Sequence, residues 1–151
     1  VDDALRHLEE AKSHLVGVGA DEMIPAIDAR IAECRIASGN ADAALELARS
    51  LLDRATESDG VAKVIPLLER VQGHALLLQG DLWGARDALE RSLAAARERN
   101  SLFEVALTSL SLIDIDRLEG VEPAIEIVDE SRSLLANFKV RAVPPVPAPA
   151  A

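Results

Sequence analysis

Three residues near the start of the chain have types and a spacing that suit metal binding. His7, Glu10 and His14 are separated by three and four residues, so on a helix they share one face. Two imidazoles and one carboxylate form a ligand set that zinc or iron accepts. The same pattern is typical of solvated polar residues on the outer face of a terminal helix, and we favour that interpretation. We therefore predict no metal site and no cofactor.

The other chemically reactive residues lack partners at the spacing that catalysis requires. Asp114 and Asp116 are two residues apart, so on a helix they point away from each other and share no proton. A lone histidine such as His74, in the middle of a predicted helix, is more often a packing or groove residue than a general base. Cys34, in an Ala/Ile-rich helix, is predicted to be an inert buried thiol. The patterns GK[ST], HExxH and GxSxG do not occur in the sequence, and we predict that this chain alone is not an enzyme.

The composition favours an all-helical protein of one domain. The chain has 151 residues, of which 2% are aromatic, and it contains no Tyr. Alanine and leucine are abundant and have high helix propensity, whereas sandwiches and barrels draw on aromatic and β-branched residues. The single cysteine excludes an internal disulfide framework.

The charge and the hydropathy of the chain exclude two classes of partner. Sixteen Lys and Arg against 26 Asp and Glu give a formal net charge of −10, which repels phosphate. Nucleic acids and anionic membranes are therefore poor partners. No apolar run approaches the roughly 20 residues of a membrane-spanning helix. We predict a cytoplasmic protein that binds protein or peptide.

Four segments of the chain carry the same pattern at nearly even intervals. Their anchor alanines are Ala4, Ala44, Ala85 and Ala124. After each anchor, small or aliphatic residues recur at the intervals that trace one face of a helix. The period of about 40 residues is one that helical repeats use, so it indicates a stack of similar supersecondary units.

Glycines and prolines recur in phase with these anchors. Gly39-Asn40 and Gly80-Asp81 precede two anchors, where a glycine ends one helix and Asn or Asp caps the next. Gly120 is one residue nearer to its anchor, which predicts a shorter connection. Pro25 and Pro66 are equally far ahead of their anchors, in a phase that suits the first turn of a helix. Each repeat is therefore predicted to be a helical hairpin.

The patterns together predict seven antiparallel helices joined by short connections. Stacked hairpins of this kind form a right-handed α-solenoid with one concave side, which we assign to residues 1–139. HEAT-like repeats share the period and are the alternative fold. Asp21, Ser58 or Asp59, and Asn100 or Ser101 are candidate N-caps. The predicted helices are 2–17, 22–38, 41–57, 62–79, 82–99, 102–118 and 122–138.

The second repeat resembles a tetratricopeptide repeat. The residues that carry the resemblance are Gly73, Gly80-Asp81, Ala85 and Leu89, and Gly39, Ala44 and Ala48 repeat part of it. The usual period of that family is about 34 residues and its packing positions are aromatic, so this chain departs from it in both respects. The longer repeat is similar to those found C-terminal in large bacterial, notably actinobacterial, signalling ATPases, nucleotide cyclases and transcriptional regulators.

The resemblance implies that the first helix of each hairpin lines a concave groove for a peptide. An apolar floor with a few charges suits such a ligand. The alternative is that Ile36, Leu77 and Leu78 are ordinary core between helices. The implied groove residues are Glu33, Ile36, Leu67, Arg70, His74, Leu77, Leu78, Ser109, Ile113, Asp116 and Arg117.

Two further features bear on partner binding. Trp83 is either an anchor for a partner or a lid on the adjacent repeat, and we favour the lid. Residues 140–151 are rich in proline and are predicted to be an extended tail, with Pro144 and Pro147 spaced as in polyproline-II recognition segments. We expect this tail to pack on its own helices or in the groove of a neighbouring molecule.

Three classes of function follow from these patterns. The first is a protein–protein interaction scaffold, the repeat region of a larger bacterial signalling or regulatory protein. The second is a structural or self-association module, because Leu5, Leu8 and Leu15 of the first helix carry a second-helix pattern with no helix before them. We expect that end to be partly exposed in a fragment of a longer array, or covered by a second copy. The third is a small-molecule or metal-binding helical domain, which requires a cavity with convergent polar groups.

Overall fold

The computed structural model describes residues 1–55, 59–143 and 146–148. These residues form helices and connections, with no strand among them, so the prediction of an all-α protein is confirmed. The predicted helix 41–57 ends at Leu52, earlier than expected, because residues 53–55 form a turn. Its last two predicted residues, 56 and 57, lie outside the described residues, as do the candidate cap Ser58 and the prolines Pro144, Pro145 and Pro149. No helix within the described ranges combines the length and the apolar character that a membrane crossing requires.

Seven long helices follow the predicted order, and a 3-10 turn (Asp21–Met23) and a four-residue helix are added to them. The shortest of the seven has 12 residues. The helices are α1 Asp2–Val18, α2 Ile24–Ala37, α3 Ala41–Leu52, α4 Asp59–Ala62, α5 Ile65–Leu78, α6 Leu82–Glu98, α7 Leu102–Leu118 and α8 Ile125–Asn137.

The two hairpin turns before α3 and α6 form as the sequence predicts. Gly39 and Gly80 have φ of 76° and 81°, the left-handed conformation that glycine adopts without a steric penalty. The side chains of Asn40 and Asp81 then accept a hydrogen bond from a backbone N–H in the first turn of α3 and α6. Each turn therefore ends one helix and starts the next within three residues.

The predicted starts of two helices, at residues 22 and 62, are wrong. Pro25 and Pro66 occupy the second position of α2 and α5, so these helices begin at Ile24 and Ile65. Proline lacks the N–H that would continue a helix from upstream, and it disfavours helical backbone in the residue before it. The chain upstream forms separate short pieces, the 3-10 turn and α4.

The connection before the last helix also differs from the prediction. Residues 119–124 separate α7 from α8, whereas three residues separate α2 from α3, so this connection is longer rather than shorter. Glu122 precedes Pro123 and is therefore disfavoured in helical backbone. Ala124 is extended, with ψ of 126°, and it is exposed outside the helix that it was predicted to anchor.

Helices adjacent in the chain pack on each other, and the first helices of successive hairpins also meet. α5 contacts both α2 and α7 in addition to α3 and α6. The anchors Ala44 and Ala85 are fully buried, whereas Ala4 and Ala124 at the two ends are exposed. At Gly73 a Cβ would lie 2.7 Å from Leu89 Cγ, so the absence of a side chain permits the close approach of α5 and α6.

Candidate functional site

The predicted groove residues lie on three helices that are neighbours in space, α2, α5 and α7. We call their shared surface the α2–α5–α7 face. Leu67, Leu77, Ser109 and Ile113 are buried within it, and Ile36 and Leu78 are half-buried. Much of the predicted lining is therefore buried where helices pack on each other. The rest of the face consists of a charged centre and an apolar end.

The charged centre is a buried arginine between two carboxylates from the flanking helices. Arg70 on α5 is 5% exposed. Its Nε donates to Glu104 Oε2 on α7 at 3.0 Å, and its Nη2 donates to Glu33 Oε1 on α2 at 2.8 Å. Charge-assisted hydrogen bonds of this kind fix geometry because the guanidinium is planar. The three residues therefore tie α2, α5 and α7 together.

The ionisation of these groups follows from their mutual contacts. Burial alone would lower the pKa of Arg70, but the charges of Glu104 and Glu33 raise it above its ordinary value. Burial alone would raise the pKa of Glu33, but Arg70 and the nearby Arg30 hold it below its ordinary value. Arg70 and Glu33 therefore both favour their charged forms, and the charge of Arg70 is engaged by the two carboxylates rather than free for a ligand.

Sequence reasoning missed Glu104 as a member of this centre. Ser101 and Glu104 have the S-x-x-E spacing of a capping box, which assigns the glutamate a local role at the helix start. In the structure Ser101 precedes α7 but its side chain makes no capping hydrogen bond. Glu104 instead bonds to Arg70, which lies on another helix much earlier in the chain. Nothing in the local spacing indicates that pairing.

His74 and Ser111 form a second buried contact between α5 and α7. His74 Nε2 lies 2.8 Å from Ser111 Oγ, and Ser111 Oγ donates to the Leu107 carbonyl oxygen at 3.2 Å. Which of the two groups donates in the shorter contact depends on the imidazole tautomer. The serine is buried, and the pair joins α5 to α7.

The environment of His74 keeps the imidazole neutral. Burial, assisted by the positive charge of Arg70, lowers its pKa from 6.5 to about 3. A general base is most effective when its pKa lies near the working pH. The groove role predicted for His74 is therefore that of a neutral hydrogen-bonding residue in the wall of the face.

The structure does not bring the last two predicted groove residues to this centre. Asp116 accepts a hydrogen bond from Arg86 on α6 at 2.6 Å, and so belongs to the contact between α6 and α7. Arg117 is exposed and donates to Asp114, one turn earlier in the same helix, at 2.8 Å. Both lie beyond the charged centre, towards the end of α7.

The proline-rich tail packs back on the apolar end of the molecule. Phe138, just after α8, meets the ring of Phe103 edge to face, with centroids 5.6 Å apart. Val146 is half-buried and packs against a core cluster that includes Leu77. Ile36 and Leu112 are also partly buried and pack against the same cluster. At Val146 the tail therefore packs on its own helices, which is one of the two expected outcomes.

The structure also bears on the predictions for Trp83, Cys34 and His7. Trp83 is 79% exposed, so the interpretation as a lid is wrong, and its role as a partner anchor stays a prediction. Cys34 is half-buried rather than buried, and burial followed by the charge of Glu33 raises its pKa, which disfavours the reactive thiolate. His7 lies 3.4 Å from Glu10, but the described residues contain no group of three potential metal ligands.

Comparison with known proteins gives no match for this chain. No family model, no characterised protein and no solved structure is similar to it. The function is therefore inferred from the geometry of the helices and of the tail.

Proposed function

We propose that the chain is a tetratricopeptide-like, right-handed α-solenoid that serves as a protein–protein interaction scaffold. In this proposal it is the repeat region of a larger bacterial signalling or regulatory protein of the cytoplasm. The α2–α5–α7 face binds an extended segment of a partner. The observation that carries the proposal is the position of Val146, which packs against a core cluster that includes Leu77 of α5 and Ile115 of α7, two of the three helices of that face.

The pattern of helix contacts supports the solenoid. In stacked hairpins each helix contacts its neighbours in the chain, and the first helices of successive hairpins contact one another. The contacts of α5 with α2 and α7 fit that arrangement. Ala44 and Ala85, equivalent positions in two repeats, are both fully buried.

The chemistry of the tail indicates what kind of segment the face accepts. Val146 supplies an apolar side chain, and Pro147 beside it is also half-buried. Proline-containing segments adopt the extended polyproline-II form before binding and so lose little conformational entropy. A partner segment with an apolar residue next to a proline meets the same requirements.

The charged centre supports binding by making the face rigid. Arg70, Glu33 and Glu104 link three helices through hydrogen bonds of 3.0 and 2.8 Å. A surface that is held in place before its ligand arrives loses less entropy on binding. The polar centre also divides the face, which leaves its apolar end for side chains such as Val146.

The proposal is tested by binding a labelled peptide of residues 138–151 to the full chain by fluorescence anisotropy. In the wild-type chain the attached tail competes at an effective concentration of about millimolar. Val146→Glu places a charge in the apolar cluster and should displace that tail. We expect the wild-type peptide to bind the Val146→Glu chain at least fivefold more tightly than it binds the wild-type chain.

The matched control is the same peptide with the Val146→Glu change, which should fail to bind either chain. Binding of both peptides with equal affinity would indicate non-specific association and would contradict the proposal. Failure of the wild-type peptide to bind the Val146→Glu chain at millimolar concentration would favour a structural module whose face binds nothing in trans.

The second candidate function, self-association, is favoured by the exposure of α1. No residue of α1 is fully buried, and Leu5, Leu8 and Leu15 are only half-buried. Val16 and Val18 at its end are more than half exposed. A second copy would cover this apolar surface. Sedimentation equilibrium tests this, because Leu8→Glu should shift a dimer to monomer, and a strictly monomeric wild type would exclude it.

A further inference from the structure

A cleft lies at the other end of the α2–α5–α7 face, near the N-terminal turns of the three helices. Its volume is about 660 Å³, within the range of about 300–1,000 Å³ typical of small-molecule sites. Arg30 on α2, Lys63 before α5, and Arg99 and Ser101 between α6 and α7 contribute to its walls. We call it the Arg99 cleft. It shares no residue with the cluster that Val146 packs against.

The charge of the Arg99 cleft is opposite to that of the whole chain. Three cationic side chains, Arg30, Lys63 and Arg99, line it together with two carboxylates, Asp59 and Glu104. The carboxylate of Glu104 is already bound to Arg70, whose charge it compensates. Arg30 pairs with Glu33, which Arg70 also binds. In a chain with a net charge of −10, the residues that line the cleft carry one more positive than negative charge.

Arg99 is held in position by the backbone rather than by a carboxylate inside the cleft. Its Nε donates to the Ala62 carbonyl oxygen at 3.0 Å and its Nη1 donates to the Ala95 carbonyl oxygen at 3.1 Å. Its ionic contact is with Glu98 at 3.6 Å, a carboxylate that is 76% exposed. The remaining nitrogen, Nη2, makes no hydrogen bond within the described residues and is available to an incoming anion.

The start of α7 adds a second source of positive potential and an apolar wall. Ser101 gives the helix no side-chain cap, and Glu104 is turned towards Arg70, so neither side chain satisfies the N–H groups of the first turn. Such groups favour anions. Phe103 also lines the cleft, and its edge-to-face contact with Phe138 fixes its ring.

A second depression of similar size provides the contrast. It has a volume of about 600 Å³ and lies along α3. Three carboxylates, Asp42, Glu46 and Asp53, line it against two arginines. This depression therefore has one more carboxylate than cation, which is the reverse of the lining of the Arg99 cleft.

We propose that the Arg99 cleft binds a small organic phosphate. The phosphate group lies among Arg30, Lys63 and Arg99, and the organic part packs on Phe103. A phosphate is favoured over a carboxylate because it carries about −1.5 to −2 charges at pH 7 and so matches a site with several cations. This site is independent of the peptide-binding function, since the two occupy opposite ends of the face.

The test is a titration of the chain of residues 1–151 with phenyl phosphate, inorganic phosphate and benzoate, followed by amide chemical shifts. We expect phenyl phosphate to bind most tightly and to shift the amides of Phe103 and its neighbours at the start of α7. Lys63→Gln and Arg99→Gln should each weaken the binding at least fivefold. The matched control is Arg97→Gln, which removes the same charge from an exposed position of α6 outside the cleft and should change the affinity less than twofold.

Three results would overturn the proposal. The first is no saturable binding of phenyl phosphate at millimolar concentration. The second is an equal loss of affinity in Arg97→Gln and Arg99→Gln, which would indicate attraction to the overall charge. The third is benzoate binding as tightly as phenyl phosphate, which would remove the phosphate assignment. Lys63 is exposed, so its replacement leaves the fold intact if Arg99→Gln unfolds the chain.

Discussion

Replacing Arg70 with methionine is expected to destabilise the chain by about 3–5 kcal/mol at pH 7, because leaving a buried charge uncompensated costs an amount of this order. The substitution keeps a long side chain and a high helix propensity but removes the charge. Glu33 and Glu104 then remain in the interior without their common partner. Domains of this size are stable by only about 5–15 kcal/mol, so a loss of this order is a substantial part of the total.

The same variant should depend less on pH than the wild type. The folded-state pKa of Glu33 is below its ordinary value of 4.5, so the stability that this shift provides is present above that pH and lost as the pH falls. Without Arg70, only Arg30 opposes the effect of burial, so the pKa of Glu33 should rise above its value in the wild type. The variant then loses less stability as the pH falls, and the difference between the two chains should narrow from pH 7 to pH 4.

Urea unfolding measures both effects. It is followed by far-ultraviolet circular dichroism, because the exposed Trp83 is a poor reporter of the core. The matched control is Arg91→Met. Arg91 pairs with Glu69 at 3.0 Å and is 43% exposed, so its loss should cost only about 0–1 kcal/mol. If Arg70→Met costs no more than Arg91→Met, or if the difference from wild type widens at acidic pH, the buried charged centre does not stabilise the fold as described.

Two other changes test the packing of α5. Gly73→Ala should destabilise the chain by about 1–3 kcal/mol, because the added Cβ would lie 2.7 Å from Leu89 Cγ. The control is Gly17→Ala in α1, where no atom lies within 4 Å of the new Cβ, and it should stabilise the chain by about 0.5–1 kcal/mol. Equal effects of Gly73→Ala and Gly17→Ala in urea unfolding would contradict the close packing of α5 on α6. The pKa of His74 is about 3 in the folded chain and 6.5 in the unfolded chain. The free energy of unfolding should therefore fall by about 1.4 kcal/mol per pH unit as the pH falls from 6.5 towards 3. Its imidazole resonances should stay constant between pH 8 and pH 5, and a midpoint near 6.5 would refute that burial.

The parts of the fold that the sequence predicts correctly are those set by neighbouring residues. Gly39-Asn40 and Gly80-Asp81 each contain both the residue that ends a helix and the residue that caps the next one, so the pair is sufficient to place the turn. The apolar stripe after Ala44 and Ala85 likewise depends only on helical periodicity.

The parts that the sequence does not predict depend on distant or competing contacts. The pairing of Arg70 with Glu33 and Glu104 joins residues of three different helices, and many surface charges have equivalent local patterns. The start of α8 moves because Pro123 restricts the residue before it, which outweighs the repeat phase of Ala124. Local spacing contains no information about the pairing, whereas the start of α8 depends on a neighbouring proline that the repeat phase alone does not take into account.

The contact of Val146 with the apolar end of the α2–α5–α7 face is the most direct test of the proposed function. It is measured by nuclear Overhauser effects between methyl groups in a chain labelled at Ile, Leu and Val. We predict cross-peaks from the Val146 methyl groups to at least one of Leu77, Leu112 and Ile115, together with shifts away from unfolded values. Narrow Val146 signals at unfolded shifts, with no cross-peak to any residue of that cluster, would contradict a face that receives an extended segment.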